Sequence, residues 1–353
     1  MEKQITIREV AKLAGVSLAT VSRVMNDSTY PVSADLKKRV KDAAEQLQYV
    51  PNTMARSLRG DMRQDIGLVI PNITNPFYLQ TIMGISNVLN QNGYSIILCN
   101  TMRSPEQERD CLRQLYERQV KGVILSSANE NADLVNEYVK KGMKFVLLDQ
   151  KLTGLESAGI NFDNRTGAQM ATEYLIGLGH KKIAFGTLPM TRRTRIETYQ
   201  GYRDAMMAAG LSCDENLFYE RKSDRPNSYN DLELEIGQYI AEDFLKAGCP
   251  ATAIICVNDM LAIGVIKTLL QNGVKVPEDV SVFGFDDIPF AAAFIPPLTT
   301  VHYPAAESGR LAALMMLDAL RNEQPEMAVS MQMTPSLVIR DTVAPPREHE
   351  GEA

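Results

Sequence analysis

Two groups of side chains in this 353-residue chain have types and spacings that could do chemistry. In the first, Leu18, Ala19, Ser22, Arg23 and Asn26 fall on one side of a helix turning roughly 100° per residue, opposite Val21 and Val24. Such a face can read base edges: a guanidinium donates two parallel bonds to guanine, and small apolar groups meet thymine methyls. The second group lies where apolar runs end. Asn75-Pro76-Phe77-Tyr78, Ser126, Asp149, Asn258-Asp259 and Asp286-Asp287 place amides and carboxylates beside aromatic rings, the combination that binds polyhydroxylated molecules through bidentate bonds and ring faces. Any such aspartate can instead cap the following helix, and Asp259 and Asp287 read as caps. Catalysis lacks its parts. His180, His302 and His349 are isolated, and there is no HxxxH, Cys/His cluster or GxSxG turn. Neither a metal nor a cofactor is expected. Gly177-Leu178-Gly179-His180 follows a helix and precedes a strand, the reverse of a dinucleotide loop, and reads as a helix end.

The reading face needs a helix that starts and stops in the right place. Ser17 is a good N-cap. Upstream, Thr6 and Glu9 form a capping box, Val10, Ala11 and Ala14 continue the apolar stripe, and Gly15 ends that first helix. A third helix begins at Ser33 and turns Leu36, Val40, Ala43, Ala44 and Leu47 inward. Two helices joined through Gly15-Val16 make a helix-turn-helix, although a plain three-helix bundle has the same periodicity. Charge favours the first reading. The chain carries 37 Lys+Arg against 43 Asp+Glu, yet residues 1–60 hold 10 against 6, a local +4, while the rest is −10.

From Asp65 onward apolar runs alternate with amphipathic stretches: strands at 66–70, 94–99, 122–126 and 145–148, with helices near 77–91, 105–118 and 131–141. The alternation restarts after Asp163, with strands at 183–186, 217–220, 253–257 and 280–285 and helices ending at 177 and spanning 197–209, 229–247 and 259–271. That is βαβ patterning twice over, predicting two doubly wound lobes with a ligand crevice at the strands' carboxyl ends. Five cysteines without a CxxC read as structural thiols. The polar N-terminus and the lack of a long apolar run predict a cytoplasmic chain without a membrane span. The tail 342–353 reads as disordered.

Val10-Ala11…Ala14-Gly15-Val16-Ser17…Thr20-Val21-Ser22-Arg23-Val24…Asn26, followed by Tyr49-Val50-Pro51-Asn52, resembles the headpiece of the LacI/GalR family of bacterial transcription regulators, and further matches run to about residue 340. The resemblance implies a small all-α helix-turn-helix headpiece (1–50), a hinge (51–62) and an α/β core of two doubly wound, periplasmic-binding-protein-like lobes (63–341). The chain would cross between lobes three times, with 63–162 and 303–326 in the first lobe and 163–302 and 327–341 in the second. It implies a homodimer, a repressor, on pseudo-palindromic double-stranded operator DNA. Thr6, Ser17, Leu18, Ala19, Thr20, Ser22, Arg23 and Asn26 would lie at the major groove. Ala55, Arg56 and Leu58 would lie at the minor groove, in a hinge too short to hold a helix alone. Phe77, Ser126, Asp149, Asn258 and Asp286 match effector positions, with Phe294 near the pocket. One departure stands out: where the family usually has an arginine three residues before Gly201-Tyr202, this chain has Thr198. Arg195, one turn earlier, would substitute, with Arg192 and Arg193 adding charge, which keeps sugar phosphates and acidic ligands open beside neutral sugars. The competing reading is a solute receptor or enzyme on the same scaffold with a vestigial headpiece. The helices spanning 77–89 and 108–116 are the implied dimer surface.

Overall fold

The computed structural model describes residues 5–25, 30–49, 65–155, 157–221, 233–322 and 329–347. Contacts divide the chain after residue 63 into two units. The first holds α1 (Ile7–Ala14), α2 (Leu18–Met25) and α3 (Ala34–Gln46). Its local signals act as chemistry requires. The Glu9 carboxylate accepts from the Thr6 N–H at 2.6 Å and the Thr6 hydroxyl at 2.9 Å. Gly15 ends α1 at φ 62°, a left-handed conformation open to glycine without steric cost. Arg39 of α3 donates to the Ala14 carbonyl at 2.7 Å, satisfying one orphan acceptor at the end of α1 and tying the third helix to the first. Val10, Ala11, Ala14, Val21, Val24, Val40, Ala43 and Ala44 make the core.

The second unit contains two six-stranded sheets. β1 (Asp65–Ile70), β2 (Ser95–Asn100), β3 (Gly122–Leu125), β4 (Lys144–Leu148) and β5 (Ala158–Phe162) alternate with α4 (Pro76–Gln91), α5 (Pro105–Glu117) and α6 (Asp133–Lys140). Next come α7 (Asn164–Gly177), β6 (Ile183–Thr187), α8 (Arg193–Ala208), β7 (Phe218–Glu220), α9 (Glu233–Lys246), β8 (Ala253–Cys256) and α10 (Asp259–Gln271). The chain then runs through β9 (Ser281–Asp286), α11 (Pro289–Ala293), β10 (Thr299–His302), α12 (Ala305–Arg321), β11 (Ser330–Met333) and β12 (Ser336–Val338). Strand orders are β11-β5-β4-β3-β1-β2 and β12-β10-β9-β8-β6-β7, with every pairing parallel except β10–β12. The near-continuous burial of β1, β3 and β4 follows from helices covering both faces of a parallel sheet.

α12 returns to the first sheet, packing on α4 and on β3, β4 and β5. Two glycines permit that contact: a Cβ at Gly84 would sit 2.0 Å from the Ala306 carbonyl oxygen, and one at Gly309 would sit 2.2 Å from that of Thr81. Three sequence expectations need correction. Residues 330–333, expected in the second lobe, pair in parallel with β5 in the first sheet; only β12 joins the second, and the two pairings split the returning segment at Thr334-Pro335. The start of the expected disordered tail is anchored. Thr342 is buried, and the Ala344 carbonyl lies 2.9 Å from the His180 ring and accepts from the Ser281 hydroxyl at 3.1 Å; residues 348–353 lie outside the described residues. Finally, α8 begins at Arg193, four residues before the periodicity placed it, with Arg192 as its N-cap.

Candidate functional site

In the first unit the valines of α2 point into the core, and the opposite side stays open. Leu18 is 46% exposed, Ala19 and Arg23 are exposed, and Thr20 and Ser22 are half-buried. Ser17 accepts from the Thr20 N–H at 3.1 Å and shares a 2.9 Å contact with its hydroxyl. The Arg23 guanidinium lies 4.1 Å over the Tyr30 ring, a cation–π contact that restricts its rotamers without using its donors. Thr6 is exposed at the start of α1. Asn26, Ala55, Arg56 and Leu58 lie outside the described residues.

In the second unit a cleft opens where strands of both sheets end. It is lined by Phe77, Asp149, Arg195, Asn258 and Asp286 from the sequence-predicted set. Ser126 is fully buried behind it and acts through neighbours: Arg192 donates to its hydroxyl at 3.3 Å. Phe294 does not line the cleft. It caps α11, its N–H donating to the Phe290 carbonyl at 2.9 Å, and its ring packs on the apolar core. The cleft's aromatic wall is instead Phe77, Phe162, Phe285 and Tyr303, with Phe162 4.8 Å from Tyr303 and 5.5 Å from Phe77 between ring centroids.

Charge dominates the cleft, and most of it is paired across the two sheets. Arg192, from the second, donates to Asp149 at 3.2 Å and to Tyr78 at 3.4 Å, both from the first. Tyr78 in turn donates to Asp149 at 3.3 Å. Burial raises the Asp149 carboxyl above its usual range, and Arg192 opposes that shift. Burial pushes the Tyr78 phenol up to about 12. From the other side Glu233 of α9 pairs with Arg103 and accepts from the Asn75 amide at 2.9 Å. Asp149 and Asp286 hold φ of 66° and 107°, left-handed backbone that costs a non-glycine residue of order 1–3 kcal/mol and is kept where the surroundings fix a functional side chain.

Both aspartates read as caps do something else. Asn258 is the cap of α10, accepting from the Leu261 N–H at 2.9 Å, and it lines the cleft. Asp259 is fully buried, accepting from the Ile288 N–H at 2.9 Å and the Thr300 hydroxyl at 2.6 Å, and Asp287 pairs with Arg340 at 2.6 Å and His302 at 3.0 Å. Burial lifts the Asp259 carboxyl to about 8. An acid whose folded pKa exceeds its unfolded value of about 3.9 binds more protons when folded, so its contribution declines as pH rises between the two. Asp259→Asn can accept from Ile288 and donate to Thr300. It should therefore gain Tm relative to wild type, by about 2–4 °C or more, as pH is raised from about 5 to about 8. A pH-independent difference in thermal melts would refute this.

Residues 6–52 match the model for bacterial regulatory proteins of the lacI family, and residues 172–343 that for a periplasmic binding protein-like domain. Over 339 residues the chain is 34% identical to the HTH-type transcriptional repressor PurR of Photobacterium profundum, spanning 96% of this chain and 98% of that one. The chain belongs to the lacI family. A second relative, PurR of Vibrio atlanticus, is 33% identical over 340 residues, again with 96% and 98% covered. Among solved structures, the lac repressor dimer bound to operator and the anti-inducer ONPF superposes with a TM-score of 0.80 at 25% identity, covering 97% of this chain and 100% of that one. The CelR–cellobiose complex gives 0.69 at 28%, covering 96% and 99%. This lacI-family chain is thus a DNA-binding transcription regulator with a two-lobed α/β core.

The sequence passed over several cleft residues of this family member. Arg103 and Tyr303 lie just beyond β2 and β10, the positions the strand-end rule selects, and that rule would have found them. Glu233 carried no such signal, because it opens a helix and meets its partners only through the packing of one lobe on the other.

Proposed function

We propose that this protein is a dimeric repressor that binds pseudo-palindromic operator DNA through two headpieces and whose operator affinity changes when a polyhydroxylated small molecule occupies the cleft. The observation that carries the reading is the two-sided α2: Val21 and Val24 are buried, while Leu18, Ala19 and Arg23 are exposed. A helix of a helix-turn-helix held that way offers a cation and small apolar groups to a major groove. Dimerisation doubles the contacts and matches two-fold half-sites. Leu79 and Met83 on α4, 49% and 65% exposed, supply apolar surface for it. The hinge 51–62, with Ala55, Arg56 and Leu58 in the minor groove, completes the proposed interface. No helix among the described residues is long and apolar enough to cross a membrane, and the proposed site of action is the cytoplasm, with binding rather than catalysis as the output. The cellobiose of CelR and the ribose in a lacI-family regulator of Enterococcus faecium support a carbohydrate-like effector.

The lobes couple to DNA because ligand binds two states unequally. Asp286, at the end of β9 in the cleft, is assigned to ligand hydroxyls. The test is fluorescence anisotropy with an operator selected from random duplexes, repeated with sugars, sugar phosphates and nucleobases that raise the protein's Tm. Asp286→Ala is expected to bind operator like wild type and to lose the ligand response. A variant that still responds fully would return Asp286 to a structural role. Failure to select any duplex would refute the regulator reading at its root.

A further inference from the structure

The cleft's charged groups do not all find partners. Of the three lining arginines, Arg192 pairs with Asp149 and Arg103 with Glu233. Arg195 forms no ion pair among the described residues, and its recorded hydrogen bond is a single donation to the Pro189 carbonyl at 2.6 Å. Four of its five N–H donors are therefore unused. Among the described residues, the buried Nε of Arg192 has no acceptor and the buried Tyr303 hydroxyl has no partner either. All three side chains line the same cleft. Buried polar groups of folded proteins are nearly always bonded, so two buried donors without partners beside an arginine with donors to spare, all on residues that line one cleft, suit a ligand group rich in acceptors.

We infer that the effector is an anionic carbohydrate, a sugar bearing a phosphate or carboxylate, whose anionic group seats against Arg195 with Nε of Arg192 and the Tyr303 hydroxyl as supporting donors. The inference rests on the proposed effector cleft and names its ligand class. A fork of N–H donors suits a planar carboxylate or a phosphate face, and a hydroxyl cannot accept enough bonds to satisfy it. Burial, reinforced by the like charges of Arg192 and Arg103, pushes the Arg195 guanidinium down to about 9, so a bound anion would relieve repulsion already built in. Asp286, the acid lining the cleft without an ion-pair partner among the described residues, is raised well above the carboxylate range by burial and by neighbouring carboxylates. A carboxyl so raised holds its proton more readily than an ordinary one, and the protonated form donates to and accepts from hydroxyls without repelling an anion. Asn258, which also lines the cleft, is a further partner for hydroxyls. Thr198 lines the cleft without charge, and Arg195, one helical turn before it toward Arg192, is the lining cation without an ion-pair partner among the described residues.

The experiment is isothermal titration of the full-length protein with matched pairs: glucose, glucose 6-phosphate and glucuronate; galactose, galactose 6-phosphate and galacturonate; ribose and ribose 5-phosphate; and inorganic phosphate alone. At least one anionic member should bind on the order of tenfold or more tighter than its neutral counterpart, and the phosphate and carboxylate arms decide which group is used. Arg195→Gln should abolish the preference, and Arg195→Lys, which keeps a charge but not the fork of donors, should retain only part of it, with folding followed by circular dichroism. Neutral sugars binding as well as their anionic partners would overturn the inference and leave the effector cleft standing. A preference that survives in Arg195→Gln, or inorganic phosphate binding as tightly as a sugar phosphate, would overturn it likewise. If no sugar of either kind binds, the cleft reading falls and takes this inference with it.

Discussion

Arg192→Met is expected to cost about 3–5 kcal/mol of unfolding free energy, the usual penalty for leaving one member of a buried ion pair alone. The side chains of Arg192 and Asp149 are only 12% and 13% exposed, so water replaces the lost partner only in part. The arginine comes from the N-cap of α8, while its three partners, Tyr78, Ser126 and Asp149, come from α4 and the ends of β3 and β4. The loss should therefore appear both in urea melts and as a larger radius of gyration by small-angle scattering, since the two lobes lose a bond that closes them. The double variant Asp149→Asn/Arg192→Met removes the orphaned charge and should recover most of the stability, because replacing both members of a buried pair is often close to neutral. Equal losses in the single and double variants would mean that the contact is only incidental packing.

Arg23→Ala should weaken operator binding by roughly 1–3 kcal/mol at each half-site, and so by about 2–6 kcal/mol for a two-headed protein on a palindrome. Binding to random DNA should fall far less, since that affinity comes from phosphate contacts spread over the basic headpiece. The Tyr30 ring under the guanidinium adds a second arm. Tyr30→Ala leaves the donors intact but frees their rotamers, and it should lose a fraction of the same specificity. Parallel losses on operator and random duplex, measured at one salt concentration, would assign Arg23 to the phosphate backbone instead.

The parts of this protein legible in its sequence are those decided within a few residues. Thr6, Glu9, Gly15 and Ser17 set the ends of two headpiece helices because caps act on N–H and C=O groups three or four positions away. The alternation of apolar runs with amphipathic stretches announced two wound sheets, and strand ends located Phe77, Asp149, Asn258 and Asp286 at the cleft, since a parallel sheet delivers all its carboxyl ends to one edge. The family resemblance implied the return of α12 to the first lobe, which no local pattern encodes.

Tertiary structure decided the rest, and in each case the cause is a partner distant in sequence. Asp149 meets Arg192 43 positions away, and Arg103 meets Glu233 130 positions away, so the pairing exists only once one lobe packs on the other. Asn258 rather than Asp259 caps α10, and Asp259 and Asp287 are held instead by Thr300 and Arg340, brought over from β10 and the segment after β12. β11 left the second lobe because β5 presented an open edge, and the segment after Asp341 became ordered because His180 and Ser281 hold Ala344. The unpaired state of Arg195 is of the same kind. A sequence records where a charge sits, but whether it is compensated depends on every chain segment that folds around it, and that difference determines what the cleft can bind.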